Sequence, residues 1–188
     1  VKQRIICLVG ASGSGKSTLA RSLSSHFRIP CIDAGEVVRE LFRSEGGQNE
    51  ASLIDYANDK LLKSHGEYFV SKIKDRADKI DADVVLIVGI RTAEELIYLS
   101  NNFDVLDVIH IRTGVVRRIF RKVLSSKETF FYIIRREVVE AIWGQHRTFG
   151  HATHRIDGSA PPSTIFEAVS ARLSKLQGLN HDLSDSRT

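Results

Sequence analysis

The stretch IICLVGASGSGKSTLA, residues 5–20, constrains this chain more than any other. Five apolar residues, 5–9, form a short β-rich run of the kind a fully buried parallel strand needs. Glycines at 10, 13 and 15 follow, and then Lys16, Ser17 and Thr18 lead into Leu19, Ala20, Leu23 and Phe27 at helical spacing. Every fixed position of G-x-x-x-x-G-K-[ST] is filled, in the strand, loop and helix context that gives the pattern its meaning. Glycines let successive backbone N–H groups turn inward around an anion, and the helix N-terminus adds its dipole. The expected phosphate contacts are therefore Gly10, Ser12, Gly13, Ser14, Gly15, Lys16, Ser17 and Thr18. Lys16 would reach the β- and γ-phosphates, and the Ser17 hydroxyl would ligate Mg²⁺, so ATP and Mg²⁺ are the implied cofactors. The bland alternative, a Gly-rich turn with a chance lysine, leaves the fit of motif and context unexplained.

Beyond this loop, apolar runs and helix-period segments alternate. Strands are expected at 5–9, briefly within IPCIDAG (29–35) with Pro30 at its entry, and at 84–88, 105–111 and 155–156, with helices between them. Residues 36–80 read as mostly helical, broken near Gly46-Gly47 and Gly66. Thr92 with Glu95 three positions on predicts a capping box for a helix from Ala93. Helices are also expected at 115–124 and 128–143, with Ser125-Ser126 between them, and a last one from Ser163 to about Leu176. The polar segment 177–188 reads as a frayed tail. This alternation predicts an α/β fold: one domain over 1–176 with a five-stranded parallel sheet and helices on both faces. Ligands of such sheets bind beyond the carboxyl ends of the strands, where the polar segments after each strand converge.

Composition narrows the partners. The net charge is +4, which suits a polyanionic ligand and permits nucleic acid without demanding it. No apolar run approaches the roughly 18–20 residues that span a bilayer. Cys7 and Cys31 sit in strand-like apolar contexts and read as reduced thiols, so the expected setting is cytoplasmic, away from membranes. His146, His151 and His154 are close in sequence but lack Cys or carboxylate partners at zinc-ligand spacing.

Three enzyme classes share this loop. The Asn-Lys-x-Asp of a regulatory GTPase and the Ser-Gly-Gly-Gln of a transport ATPase are both missing from the sequence. The remaining motifs resemble those of the P-loop nucleotide kinases. CIDAGEVVREL (31–41) is similar to the acceptor-site opening of cytidylate kinases, and Asp33 with Arg39 resembles dephospho-CoA kinases. VVLIVGIRTAEEL (84–96) resembles the Gly-x-Arg-[ST]-x-x-E segment of archaeal-type dephospho-CoA-kinase-like and adenylate-kinase-like proteins. IRTGVVRRIFRK (111–122) and REVVEAIWG (136–144) resemble the start and end of their lid, and HRIDGS (154–159) the loop beside the adenine.

The resemblance implies an arginine-rich lid at 115–144, with Arg118 and Arg121 acting on the triphosphate, and adenine contacts at Asp157 and Gly158. It also implies an acceptor arm at 36–80 and acceptor contacts from Asp33, Arg39, Arg91 and Arg136. Physically, two guanidinium forks at 39 and 91, following neighbouring strands, suit a phosphate; the alternative is surface pairing with Glu36 or Glu94. Between Arg112 and Arg136 stand eight Lys/Arg and one acid, Glu128, which fits a lid, a solvated face or a nucleic-acid patch. Asp33 could accept a proton from a hydroxyl acceptor, hold an acceptor nucleoside, or simply cap the following helix. Trp143, Tyr56, Tyr68 and Phe69 read as packing residues.

One departure stands out. Where many relatives carry an Asp at the end of the third strand, this chain has Val88. Mg²⁺ would then rest either on Ser17, the phosphates and water, or on Asp33 or a nearby Glu in place of the missing acid. The function expected is a kinase moving the γ-phosphate of ATP to a nucleotide or nucleotide-like acceptor. The alternatives are a kinase for a hydroxyl in nucleic acid and a non-catalytic nucleotide-binding protein.

Overall fold

The computed structural model describes residues 3–125, 130–143 and 145–185. Glu128, the break at Ser126, Gly144 of the 136–144 motif and the last three residues lie outside the described residues. Strand β1 (Arg4–Val9) runs into helix α1 (Lys16–Phe27), followed by β2 (Cys31–Asp33), α2 (Ala34–Ser44), α3 (Glu50–Lys63), α4 (Glu67–Ala77) and β3 (Val84–Val88). Then come α5 (Ala93–Asn102), β4 (Asp104–Arg112), α6 (Val115–Ser125), α7 (Phe130–Ile142), α8 (Gln145–Gly150), β5 (His154–Asp157) and α9 (Pro162–Asp185).

The five strands form one sheet in the order β2-β3-β1-β4-β5, and every pairing is parallel. From β1 the chain goes out to the edge strand β2, returns through β3 beside β1, and then crosses to the other side at β4. That reversal opens a crevice past the carboxyl end of β1, where the phosphate loop emerges. Both faces of the central strands are covered, so they read as unbroken apolar runs rather than as alternation. Ile5, Cys7 and Val9 face a core with α2, α4 and α5. Ile6 and Leu8 face a second core with α1 and α9.

Local signals explain the elements that place the site. The Thr92–Glu95 capping box is present, and Glu95 is buried with its carboxylate accepting the Arg91 and Thr92 N–H groups at 2.9 Å each. Burial raises the Glu95 carboxyl above its usual range despite those bonds. The 36–80 segment breaks at Gly46 and Gly66 as expected, giving α2, α3 and α4. Lys60 and the Tyr56 hydroxyl both meet the Glu45 carboxylate at 2.8 Å, and the Tyr68 hydroxyl joins them, tying the three helices together. Tyr56, Tyr68, Phe69 and Trp143 all belong to one apolar cluster. Cys7 and Cys31 are free thiols, and burial pushes Cys7 up to about 12.

Two features differ from expectation. The last helix does not stop near Leu176 but runs to Asp185. Residues 177–185 contain no proline, and a helix already nucleated extends through a single glycine at a cost of about 1 kcal/mol. The short helix α8 was not foreseen, since six residues leave too little periodicity to read.

Candidate functional site

The phosphate loop is built from backbone that only glycine tolerates. Gly15 takes a left-handed φ of 94° as the N-cap of α1, and no side chain caps that helix. Its first N–H groups are therefore left for a ligand. A Cβ on Gly10 would stand 2.7 Å from the Ile111 carbonyl oxygen, so the loop is pressed against the end of β4. Lys16 Nζ donates to the Ala11 carbonyl at 3.2 Å. Burial pulls its pKa down to about 8, opposed by the nearby Glu140 carboxylate. Ser14 Oγ is buried and has no hydrogen-bond partner among the described residues.

A cavity of about 640 Å³ opens over this loop. Ser12 through Thr18 line it, together with Asp33, Arg39, Arg91 and Arg136. Leu124, Pro162, Ile165 and Phe166 also line it. The side chains at 39 and 91, contributed after the neighbouring strands β2 and β3, thus reach the same space as Lys16. Arg91 pairs with Glu140 at 3.1 Å rather than with Glu36 or Glu94, and its guanidinium lies 5.3 Å from the Trp143 ring centre. Asp33 does cap α2, with Oδ1 accepting the Gly35 N–H at 2.8 Å, and it lines the cavity as well. Trp143 is buried and donates from Nε1 to Asn58 at 2.7 Å, as a packing residue does.

Several placements depart from the sequence reading. Arg118 does not line the cavity. It is buried beneath the phosphate loop, donating to the Ser12 and Thr113 carbonyls at 3.0 and 3.1 Å and pairing with Glu137 at 2.7 Å. Three acceptors in a buried site hold the guanidinium more firmly than solvent would, so it braces the loop. Arg121 does line the cavity and donates to the Gly158 carbonyl at 3.1 Å. Asp157 and Gly158 do not line it. Asp157 turns back to accept the Ser159 N–H at 2.8 Å, and Gly158 is wedged against Thr113.

Two further residues line the cavity, Lys122 and Glu140, which stand in the 111–122 and 136–144 motifs with no cavity role expected of them there. Lys122 is buried, pairs with Glu137 at 3.3 Å, and is held below its usual pKa by burial and by Arg136. Glu140 is also buried. Its Oε2 accepts the Ser12 N–H at 3.2 Å, and Oε1 faces Arg91 at 3.1 Å and Arg136 at 3.5 Å. Burial alone would raise the Glu140 carboxyl, but Arg91, Lys16 and Arg136 hold it below the usual range.

This donor set fits a triphosphate with a hard divalent cation. The uncapped helix, the Lys16 ammonium and the unpartnered Ser14 hydroxyl suit phosphate oxygens. Among the described residues no three His, Cys, Asp or Glu side chains gather into a ready cation cage. Mg²⁺ does not need one, since it is commonly held by one or two protein oxygens and the phosphates themselves. Ser17, Asp33 and Glu140 supply such oxygens, while Val88 is buried in the core.

The chain is similar to several known proteins. A family model described as an AAA domain matches residues 5–105. Adenylate kinase of Francisella philomiragia is 30% identical over 118 residues, which are 59% of this chain and 53% of that protein. Adenylate kinase of Buchnera aphidicola is 26% identical over 136 residues, 68% of this chain and 62% of that protein. The chain therefore spans about half to three fifths of the length of these two relatives. Among solved structures, TT1252 from Thermus thermophilus superposes with a TM-score of 0.66 at 16% identity, covering 94% of this chain and 99% of that one. Shikimate kinase from Aquifex aeolicus gives 0.57 at 19% identity, covering 90% and 96%. Matched over more than half of its 188 residues, the chain belongs to the AAA domain family and has the fold of the P-loop nucleotide kinase superfamily.

Proposed function

We propose that this chain is an ATP-dependent kinase that transfers the γ-phosphoryl group to a small anionic, nucleotide-like acceptor. The observation that carries this reading is the single cavity shared by the phosphate loop and by Asp33, Arg39, Arg91 and Arg136. The relatives named adenylate kinase support it.

The 115–144 region acts as the lid and 36–80 as the acceptor arm. Gly13 to Thr18 and Lys16 hold the triphosphate, while Ile165, Phe166 and Pro162 offer the base an apolar seat. Ser17, with Asp33 or Glu140, would hold Mg²⁺, which when bound neutralises phosphate charge. Arg121, Lys122 and Arg136 supply fixed positive charge where charge builds up on the transferring group. Arg39 and Arg91 orient the anionic part of the acceptor. Asp33, fixed by its bond to the Gly35 N–H, is the group placed to take a proton from a hydroxyl acceptor.

Nucleic acid is a poorer acceptor for this site. Among the described residues, the cations of α6 are engaged inward or with backbone rather than forming an open track. Arg117 donates to the Ser159 carbonyl, Arg118 and Lys122 meet Glu137, and Arg121 meets Gly158.

The test is ADP release from MgATP with a panel of nucleoside monophosphates, dephospho-CoA, and plain and hydroxymethylated DNA, run beside Asp33→Asn. Asn keeps the α2 cap. Turnover with a small acceptor that falls 10²-fold or more in Asp33→Asn identifies a hydroxyl acceptor with Asp33 as base. Turnover that survives the change identifies phosphate-to-phosphate transfer. ATP binding without turnover on any acceptor would overturn the kinase reading, and turnover only with DNA would overturn the small acceptor.

A further inference from the structure

Helix α6 is amphipathic in the reverse of the usual sense. Arg118 and Lys122 are buried, while Val116 and Phe120 are 83% and 63% exposed and Val123 is about half exposed. These three lie at i, i+4 and i+7, so they share one face, opposite the cations that serve the phosphate loop. Helix α7 repeats the pattern. Ile133 and Glu140 are buried, and Phe131, Val138 and Ile142, at i, i+7 and i+11, are 81%, 54% and 68% exposed. The two helices pack on one another and are joined by four residues, so both stripes lie on the outside of one hairpin.

Together with Phe130, these side chains present roughly 800 Å² of apolar surface, taking an aromatic residue at its usual 150–250 Å². The largest apolar patch on an ordinary monomer is about 300–600 Å². One partner in a standard-size interface contributes about 800 Å². We infer that the outer face of the α6–α7 hairpin is the contact through which two copies of this chain form a two-fold dimer.

A second copy fits better than other occupants. A two-fold contact sets the same patch against itself, and like charges on that patch would repel. The α6 stripe carries none, and the one cation on the α7 stripe, Arg135, is neutralised by its pairing with Asp55, while Arg117 beside the α6 stripe donates to the Ser159 carbonyl. A helix that lies on a membrane needs the opposite, a rim of outward cations to meet anionic headgroups. The proposed contact would also restrain the two helices that carry Arg121, Lys122, Arg136 and Glu140.

The test is sedimentation velocity of the full chain across the micromolar range, for wild type and for Phe120→Glu, Phe131→Glu and the remote control Ile97→Glu. All three side chains are exposed, so the fold should survive, and circular dichroism checks that it does; Val116→Lys replaces either hairpin variant if it unfolds. The expected result is a concentration-dependent dimer whose dissociation constant rises at least roughly 30-fold in each hairpin variant, as for an interface hot spot, and is unchanged in Ile97→Glu. A wild type that stays monomeric throughout overturns the inference, as does a dimer that persists in both hairpin variants. A monomer that co-floats with phosphatidylserine vesicles also overturns it and assigns the face to membrane.

Discussion

Glu140 accepts the Ser12 N–H at 3.2 Å, joining α7 to the phosphate loop across 128 positions of sequence. The same carboxylate faces Arg91 and Arg136. With Lys16 also acting on it, it is the buried counter-charge for cations on three different segments. Glu140→Gln keeps the shape but removes the charge, and breaking a buried pair from one side typically costs about 3 kcal/mol. For a chain of this size that lowers the melting temperature by roughly 6–12 °C. ATP should recover more of that loss in the variant than it adds to wild type, since its phosphates replace the missing anion. Thermal unfolding with and without ATP checks both statements, and an unchanged melting temperature would count against the role.

Arg118 and Arg121 are three residues apart yet should behave differently. Arg118→Met leaves the Ser12 carbonyl without a buried donor and should cost about 3 kcal/mol of stability. Arg121→Ala should cost about 1 kcal/mol or less but reduce turnover on the order of 10²-fold, as loss of one preorganised donor does. Denaturant unfolding and steady-state kinetics on both variants separate a brace from a participant. Equal stability losses would contradict the assignment.

The Lys16 pKa makes nucleotide binding depend on pH. Unfolded lysine titrates near 10.5, and burial brings Lys16 to about 8 in the fold. Between those values the unfolded chain binds more protons, so this group makes stability rise with pH there. Phosphates favour the charged ammonium and raise its pKa again. ATP should therefore bind with proton uptake above about pH 8, approaching one proton per nucleotide, and with falling affinity as pH rises further. Calorimetry in two buffers of different ionisation heat measures that uptake, and none at high pH would refute the argument.

The apolar wall of the cavity is assigned to the base. Phe166→Ala should weaken ATP binding roughly 10-fold, the worth of one aromatic contact, and leave inorganic tripolyphosphate binding unchanged. If both ligands weaken together, the residue supports the loop and does not touch a base.

The phosphate loop was legible because its chemistry is local: glycines, Lys16 and Ser17 act within eight consecutive positions. The Thr92–Glu95 box was legible for the same reason. The inward placement of Arg118 is not legible because its partner, Glu137, lies on another helix, and spacing along α6 shows only that Arg118 and Arg121 point broadly the same way. Glu140 sits among helical residues whose charges look solvated, and only the packing of α7 against the loop reveals it as buried. Asp157 and Gly158, at the end of β5, do not line the cavity. Pro162, Ile165 and Phe166, from the start of α9, line it instead, a meeting of distant segments that spacing along the chain does not show.

Trp143 is the only tryptophan in the sequence. Its indole N–H reaches across to Asn58 on α3, and the Arg91 guanidinium rests near its ring. The protein thus contains its own fluorophore at the seam between α3 and the end of α7, with a cavity cation beside its ring. An acceptor that draws Arg91 away, or a closure that stretches the Asn58 bond, should change the emission, so stopped-flow mixing can time each substrate's arrival in the unlabelled protein.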